Sequence, residues 1–286
     1  MNGGDLGERI EAWARREVHV ELLVAIGSRV RAPGADGAAD CRSDWDFQLA
    51  SSRPEILDRS TWLSALGVEV HAYAVRIGRL GSSAKISAVT DRGELDLVIL
   101  PAEALRVLTA AMSRPSSTWP PQLLPALTDL ATVLAGGYRV LKGEASHGAL
   151  LARIASEVPM ARLDDAAVRL EADGFVCDYV STWRKVERGE WIAAQRWLHH
   201  QLAEANLRLL HELRLRRGEA SFPDGRRLEF LAEPLADEVK VRAMPEAESL
   251  RAALPRCAAA HRRLVAALLG DAWRWPELSG LRLGGE

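Results

Sequence analysis

Cysteine is scarce in this chain of 286 residues, which has only three. Cys41, Cys177 and Cys257 lie far apart and form no Cys-x-x-Cys pair, so neither a disulfide framework nor a zinc site is expected. Lysine and arginine number 37 against 39 aspartates and glutamates, so the overall charge does not indicate a broad basic surface for nucleic acid. No run approaches the roughly 18 apolar residues of a membrane span, and residues 1–11 lack the apolar core of a signal peptide. We therefore expect a cytoplasmic protein that binds neither nucleic acid nor membrane.

Hydrophobic patterns divide the chain into two parts. Short β-rich runs alternate with helical periods up to about residue 150, and longer helical periods follow. This predicts an α+β fold, with a sheet-containing domain over residues 1–150 and an all-α helical domain over residues 151–286. The expected strands cover residues 18–26, 44–50, 68–75 and 138–141, together with a hairpin of residues 85–90 and 95–100. The expected long helices cover residues 164–188, 190–217 and 246–269.

Two carboxylates stand one residue apart at the start of the second predicted strand, in Asp44-Trp45-Asp46. Alternate residues of a strand share a face, so Asp44 and Asp46 point the same way. Two carboxylates this close repel each other unless a cation lies between them. Two Mg²⁺ ions about 3.5 to 4 Å apart are the usual arrangement in phosphoryl-transfer sites. The pair therefore indicates metal-dependent chemistry on a phosphorylated substrate.

The first predicted strand ends in a corner, Gly27-Ser28-Arg29. Glycine lets the backbone approach a phosphate closely, and exposed N–H groups of a following helical turn favour an anion. Arg29 can add a charge-assisted hydrogen bond. We interpret Gly27, Ser28 and Arg29 as nucleotide-binding residues.

A third carboxylate, Asp96, lies in the aliphatic run of residues 95–100. An unpaired carboxylate there is costly unless it meets a metal ion or a donor, and a neighbouring strand can bring it beside Asp44 and Asp46. It would then be a metal ligand and a candidate to accept the proton of an attacking hydroxyl. The alternative is that Asp96 simply pairs with Arg76, Arg79 or Arg92. The succession of strand, Gly-Ser corner, Asp-x-Asp strand and Asp-bearing hairpin favours the catalytic interpretation.

These motifs resemble the polymerase-β-like nucleotidyltransferase superfamily, and within it the aminoglycoside 6-adenylyltransferase (streptomycin adenylyltransferase) family. The resemblance is carried by the residues quoted above, by Trp62-Leu63 and by the run from Asp91 to Pro101, and continues weakly through residues 138–141 and 183–191. It implies a mixed sheet of about five strands with helices, followed by a helical domain that closes the cleft. It also implies transfer of AMP from ATP, with Mg²⁺, to a hydroxyl of an aminoglycoside such as streptomycin.

The resemblance also assigns residues in the helical half. Lys185 matches a family lysine that reaches the triphosphate. Where the family has a glutamate beside aromatic residues, a contact for a cationic acceptor, this chain offers Asp173 and Asp178 instead. This departure leaves other acceptors open: a lincosamide, another metabolite or a protein side chain. An alternative from another functional class is a non-catalytic regulator that binds nucleotides. The sequence predicts neither the oligomeric state nor which carboxylate acts as the general base.

Overall fold

The computed structural model describes residues 5–77, 83–120, 122–231 and 233–278. The chain divides into two compact units, Met1–Ala161 and Arg162–Glu286. The division lies beyond the helix Glu144–Glu157, which packs with the first unit. The functional domain boundary expected after residue 150 stays a prediction.

The first unit is built on a six-stranded mixed sheet. Its strands are β1 (Val20–Ile26), β2 (Trp45–Ser51), β3 (Val70–Ile77), β4 (Ala84–Thr90), β5 (Gly93–Pro101) and β6 (Tyr138–Lys142). Their order is β3-β4-β5-β2-β1-β6, in which β2 and β5 run parallel and the other neighbours antiparallel. The predicted mixed sheet is confirmed: the described residues contain all six strands expected from the sequence patterns, including the short β6, whereas the family resemblance implied about five.

Helices cover both faces of this sheet. They are α1 (Leu6–Arg16), α2 (Thr61–Ser64), α3 (Ala102–Met112), α4 (Leu123–Ala135) and α5 (Glu144–Glu157). α1 begins at a capping box, in which the Asp5 side chain accepts from the Glu8 backbone and Glu8 reaches back to the Asp5 backbone. α1 and α2 pack on one face of the sheet, and α3, α4 and α5 pack on the other.

The alternation of side chains along β2 and β5 positions the polar residues. Phe47 and Leu97 point into the core under α1 and α2 and are almost fully buried. Burial of a side chain of this size contributes about 2 to 3 kcal/mol, so a shift of β2 by one residue would be strongly opposed. Asp46 and Asp96 therefore face the opposite side, the one that carries Ala50 and Leu100 under α3 to α5.

The described part of the second unit is helical, as predicted. Its helices are α6 (Asp165–Glu187), α7 (Trp191–Trp197), α8 (Glu204–Arg216), α9 (Ala236–Val239) and α10 (Ala247–Leu269). The helix expected over residues 190–217 contains a π-helical turn, Leu198–Ala203, between α7 and α8. Aromatic residues of α6 pack on α10 in the core of this unit. Among the helices of the described residues, none has the length and apolar character needed to cross a bilayer.

Candidate active site

The structure brings the three predicted carboxylates together. The parallel register of β2 and β5 places Asp46 opposite Asp96, and Asp44 directly precedes β2. One carboxylate oxygen each from Asp44, Asp46 and Asp96 lies within 4.8 Å of the other two. All three residues are half-buried. Three negatively charged groups this close together strongly attract a cation.

Gly27 makes room for one of these carboxylates. β1 ends at Ile26, opposite Asp46, and the chain then turns at Gly27 with φ +78°. A Cβ atom at this position would lie 2.4 Å from Oδ2 of Asp46. A side chain is therefore excluded by contact as well as by backbone conformation. Ser28 follows in a short 3₁₀ turn, and its carbonyl accepts from the Ala39 N–H at 3.1 Å. Phosphate binding by Gly27 and Ser28 stays a prediction.

Arg29 contacts the protein's own backbone. Its Nε donates to the carbonyl of Asp44 at 2.9 Å, and a terminal guanidinium nitrogen donates to the carbonyl of Ser43. The guanidinium also lies 4.1 Å from the ring centroid of Trp45. In the structure Arg29 thus clamps the segment that carries Asp44, whereas a contact with phosphate stays a prediction.

Asp96 has a partner that the sequence did not predict. Nζ of Lys85 lies 2.5 Å from Oδ2 of Asp96, and Oγ of Ser87 donates to Oδ1 at 2.7 Å. Of the arginines proposed as alternatives, Arg76 donates to Oγ of Ser87 at 3.3 Å and Arg92 pairs with Asp91 at 3.2 Å. The third, Arg79, lies outside the described residues.

The alternation of side chains along β4 could have identified Lys85 as a residue of the site. Lys85 and Ser87 are two residues apart on β4, and Ser87 pairs with Asp96 across the hairpin. Both side chains therefore occupy the face of the sheet that carries the carboxylates. A lysine on a strand is ordinarily solvated by water, so composition alone does not single out Lys85.

A cavity of about 230 Å³ lies beside the carboxylates, within the first unit. Its lining includes Asp44, Tyr73, Arg76, Ser87 and Asp96. The lining combines acidic, basic and hydroxyl groups, the mixture that a charged ligand with a counterion requires. The cavity therefore offers space for a polar ligand next to the acidic cluster.

The donor set fits a divalent cation. Carboxylate oxygens are the ligands that Mg²⁺ prefers, and here three converge from β2, from the residue that precedes it and from β5. The cluster already attracts the ammonium group of Lys85, which shows the sign of charge it accommodates. Asp44, Asp46 and Asp96 are the residues that would hold the ion.

The predicted residues of the second unit lie on α6. Nζ of Lys185 lies 4.0 Å from the ring centroid of Trp197, in a cation–π contact. Asp173 is exposed, and its Oδ1 accepts from the Trp273 indole N–H at 2.8 Å. Asp178 is half-buried; burial raises the pKa of its carboxyl, and the Glu171 charge adds to the shift. Their roles toward nucleotide and acceptor stay predictions.

Neither a protein-family model nor a curated protein matches the chain. Among solved structures, it is similar to an aminoglycoside 6-adenyltransferase from Bacillus subtilis, with 12% identity and a TM-score of 0.39, over 95% of this chain and 92% of that one. It is also similar to a nucleotidyltransferase-like protein from Exiguobacterium sibiricum, with 11% identity and a TM-score of 0.33, over 90% of this chain and 73% of that one.

Proposed function

We propose that this protein is a Mg²⁺-dependent nucleotidyltransferase that transfers AMP from ATP to a hydroxyl of a small-molecule acceptor. The observation that carries the proposal is the convergence of Asp44, Asp46 and Asp96, with one oxygen from each within 4.8 Å of the others. The Gly27 turn beside Asp46 supports it, because a phosphate can approach the backbone closely where no side chain intervenes.

The proposed reaction joins the acceptor to the α-phosphorus of ATP. The hydroxyl oxygen attacks that phosphorus, the bond to the oxygen bridging the α- and β-phosphates breaks, and pyrophosphate leaves with the electron pair. The hydroxyl proton passes to a base. Mg²⁺, when bound, would neutralise the charge of the phosphates. The protein's contribution is mainly to position the two reactants in line.

The contacts of Asp96 bear on which of the three carboxylates can act as the base. Both oxygens of Asp96 have partners, Lys85 and Ser87, so a role for Asp96 as base requires release of one contact. Asp44 is held in place through its backbone by Arg29. We assign Asp44 and Asp46 primarily to metal binding and keep Asp96 as third ligand and candidate base.

The proposed class of acceptor is inferred from the sequence motifs. An aminoglycoside carries several ammonium groups, and Asp173 and Asp178 would provide opposing carboxylates in the helical unit. Lys185 would contact the triphosphate. A cytoplasmic setting agrees with three unpaired cysteines, of which Cys41 and Cys177 are exposed.

The test is transfer of label from α-³²P-ATP, with Mg²⁺, to a panel comprising streptomycin, other aminoglycosides, a lincosamide and a protein substrate. We expect the wild-type protein to label one acceptor class, and Asp46→Asn to label none. Asp129→Asn is the matched control, since Asp129 is exposed on α4. ATP binding without transfer to any acceptor would instead indicate a regulator, and label transfer by Asp46→Asn would contradict the mechanism.

A further inference from the structure

A groove in the second unit has space for a small ligand. It lies between α10 and the segment of residues 237–242, and its volume is about 280 Å³. Every residue that lines it belongs to the second unit, and none of them has a role in the proposed transfer reaction. Ligand pockets in proteins have volumes of about 300 to 1,000 Å³, so this groove suits a small metabolite.

The sequence of α10 provides the floor of the groove. Ala253, Cys257 and Ala260 follow one another at intervals of four and three residues, so they lie on one stripe of the helix. All three line the groove, and their short side chains leave space above them. Arg256 and Arg263 are seven residues apart and lie along the same stripe. The groove therefore has an apolar floor and a basic edge.

The groove carries a surplus of positive charge. Its lining includes four basic and two acidic residues: Lys240, Arg242, Arg256, Arg263, Asp237 and Glu238. Nζ of Lys240 lies 2.6 Å from Oδ1 of Asp237, and Arg263 pairs with Glu238. Both acidic residues are thus already paired with basic residues of the groove. A net charge of +2 remains.

Arg242 and Arg256 carry this surplus. Within the part of the chain that the structure describes, neither guanidinium group has a hydrogen bond or an ion pair. Arg242 follows α9 and Arg256 lies on α10, so the two come from the separate segments that form the groove. A guanidinium presents its N–H donors in a planar fork that matches the oxygens of a carboxylate or a phosphate. Both groups are therefore available to an anion in the groove.

We propose that this groove binds a small organic phosphate monoester. A phosphate monoester carries a charge of about −1.5 to −2 at neutral pH, which matches the surplus of the groove, and its oxygens can accept from both arginines. The organic part would lie on the apolar floor, where its hydrocarbon is removed from water. Burial raises the pKa of Cys257 to about 12, so the thiol on this floor is neutral and does not repel the anion.

The test is isothermal titration calorimetry of the whole protein, without ATP or Mg²⁺, with glycerol 2-phosphate as the probe. We expect saturable binding by the wild type. Arg242→Gln and Arg256→Gln should each weaken it about tenfold or more, because each removes charged hydrogen bonds to the phosphate. The matched control is Arg251→Gln, since Arg251 is an exposed arginine of α10 that does not line the groove. Inorganic phosphate, which has no organic part, should bind more weakly than the probe.

A second pair of variants changes the space without changing any charge. Ala259 lines the groove at an exposed position, so Ala259→Leu should narrow it and weaken binding about tenfold. Ala252→Leu, at an exposed position of α10 outside the groove, should bind like the wild type. Circular dichroism establishes that each variant is folded.

Two results would overturn the presence of a site in this groove: no binding of glycerol 2-phosphate by the wild type, or undiminished binding by both arginine variants. Tighter binding of succinate, a dicarboxylate, than of glycerol 2-phosphate would overturn the assignment to a phosphate.

Discussion

His261 makes the stability of the helical unit depend on pH. The side chain is fully buried on α10, and its ring stacks on Phe175 with 3.7 Å between centroids. Asn206 donates through Nδ2 to the Cys257 carbonyl, so its Oδ1 is the acceptor for Nδ1 of His261 at 2.9 Å. Nδ1 therefore carries the proton. Nε2 has no hydrogen-bond partner among the described residues, so a second proton there would be buried without an acceptor.

Burial lowers the pKa of His261 from 6.5 to about 3. Between these values the unfolded chain binds one more proton than the folded chain, so stability is lost as the pH falls below 6.5. The loss is about 1.4 kcal/mol per pH unit over that window. From pH 7 to pH 5, His261 should therefore remove about 2 kcal/mol from the free energy of unfolding.

The assay is urea unfolding of the wild type and of His261→Gln at pH 7 and at pH 5. Glutamine keeps an N–H donor for Asn206 and does not titrate. The loss of packing caused by the substitution lowers the stability equally at both pH values, so it cancels in the difference. The contribution of His211, whose pKa is also lowered by burial, cancels in the same way because both proteins contain it. We expect the wild type to lose about 2 kcal/mol more than the variant between the two pH values. Equal losses in the two proteins would refute the argument.

Three further predictions concern single side chains. Gly27→Ala should abolish measurable pyrophosphate release, because its Cβ would lie 2.4 Å from Asp46. Gly34→Ala, with a similar φ of +81° and open space around it, should retain the release. Equal losses in the two variants would contradict the argument that the contact with Asp46 causes the loss. Arg29→Lys should lower kcat about tenfold in the same assay, because an ammonium cannot reproduce two planar hydrogen bonds to the segment carrying Asp44; unchanged turnover would disprove the clamp. Glu212→Gln removes the buried carboxylate that Arg162 and Arg216 share. Because Arg162 is 39% exposed and Arg216 keeps its pair with Asp165, we expect a loss of about 1 to 2 kcal/mol in urea unfolding; an unchanged free energy of unfolding would contradict this.

Local patterns were sufficient to predict the elements that carry the site. Alternation alone places Asp44 and Asp46 on one side of β2, and the apolar run of β1 predicts a buried strand that ends at Gly27. A helical period that begins directly after Pro101 predicts a helix over residues 102–112, and α3 has these bounds.

Partners across the hairpin were not predictable, because they depend on the length of the turn. A loop of residues 91–94, as predicted, would pair Thr90 with residue 95 and Ser87 with Val98. In the structure Thr90 pairs with Gly93, which moves Ser87 opposite Asp96 and brings Lys85 within reach of it. A shift of two residues preserves the face of every side chain, so hydrophobic alternation cannot distinguish the two registers.

The contacts of Arg29 with the backbone were not predictable from the sequence for a different reason. They require the loop that precedes β2 to fold back on the 3₁₀ turn, where the Ala39 N–H donates to the Ser28 carbonyl. Residues 31–43 have no periodicity from which such a path follows. The sequence identified Arg29 as a residue of the site but predicted phosphate as its partner.

The central claim is that the carboxylates of β2 and β5 support nucleotidyl transfer. The most direct measurement is pyrophosphate release from ATP, with Mg²⁺ and the acceptor identified by label transfer, by the wild type and by Asp46→Asn. We predict release by the wild type and a loss of at least about a thousandfold in the variant, with an unchanged melting temperature. Release by Asp46→Asn at a rate close to that of the wild type would contradict the account.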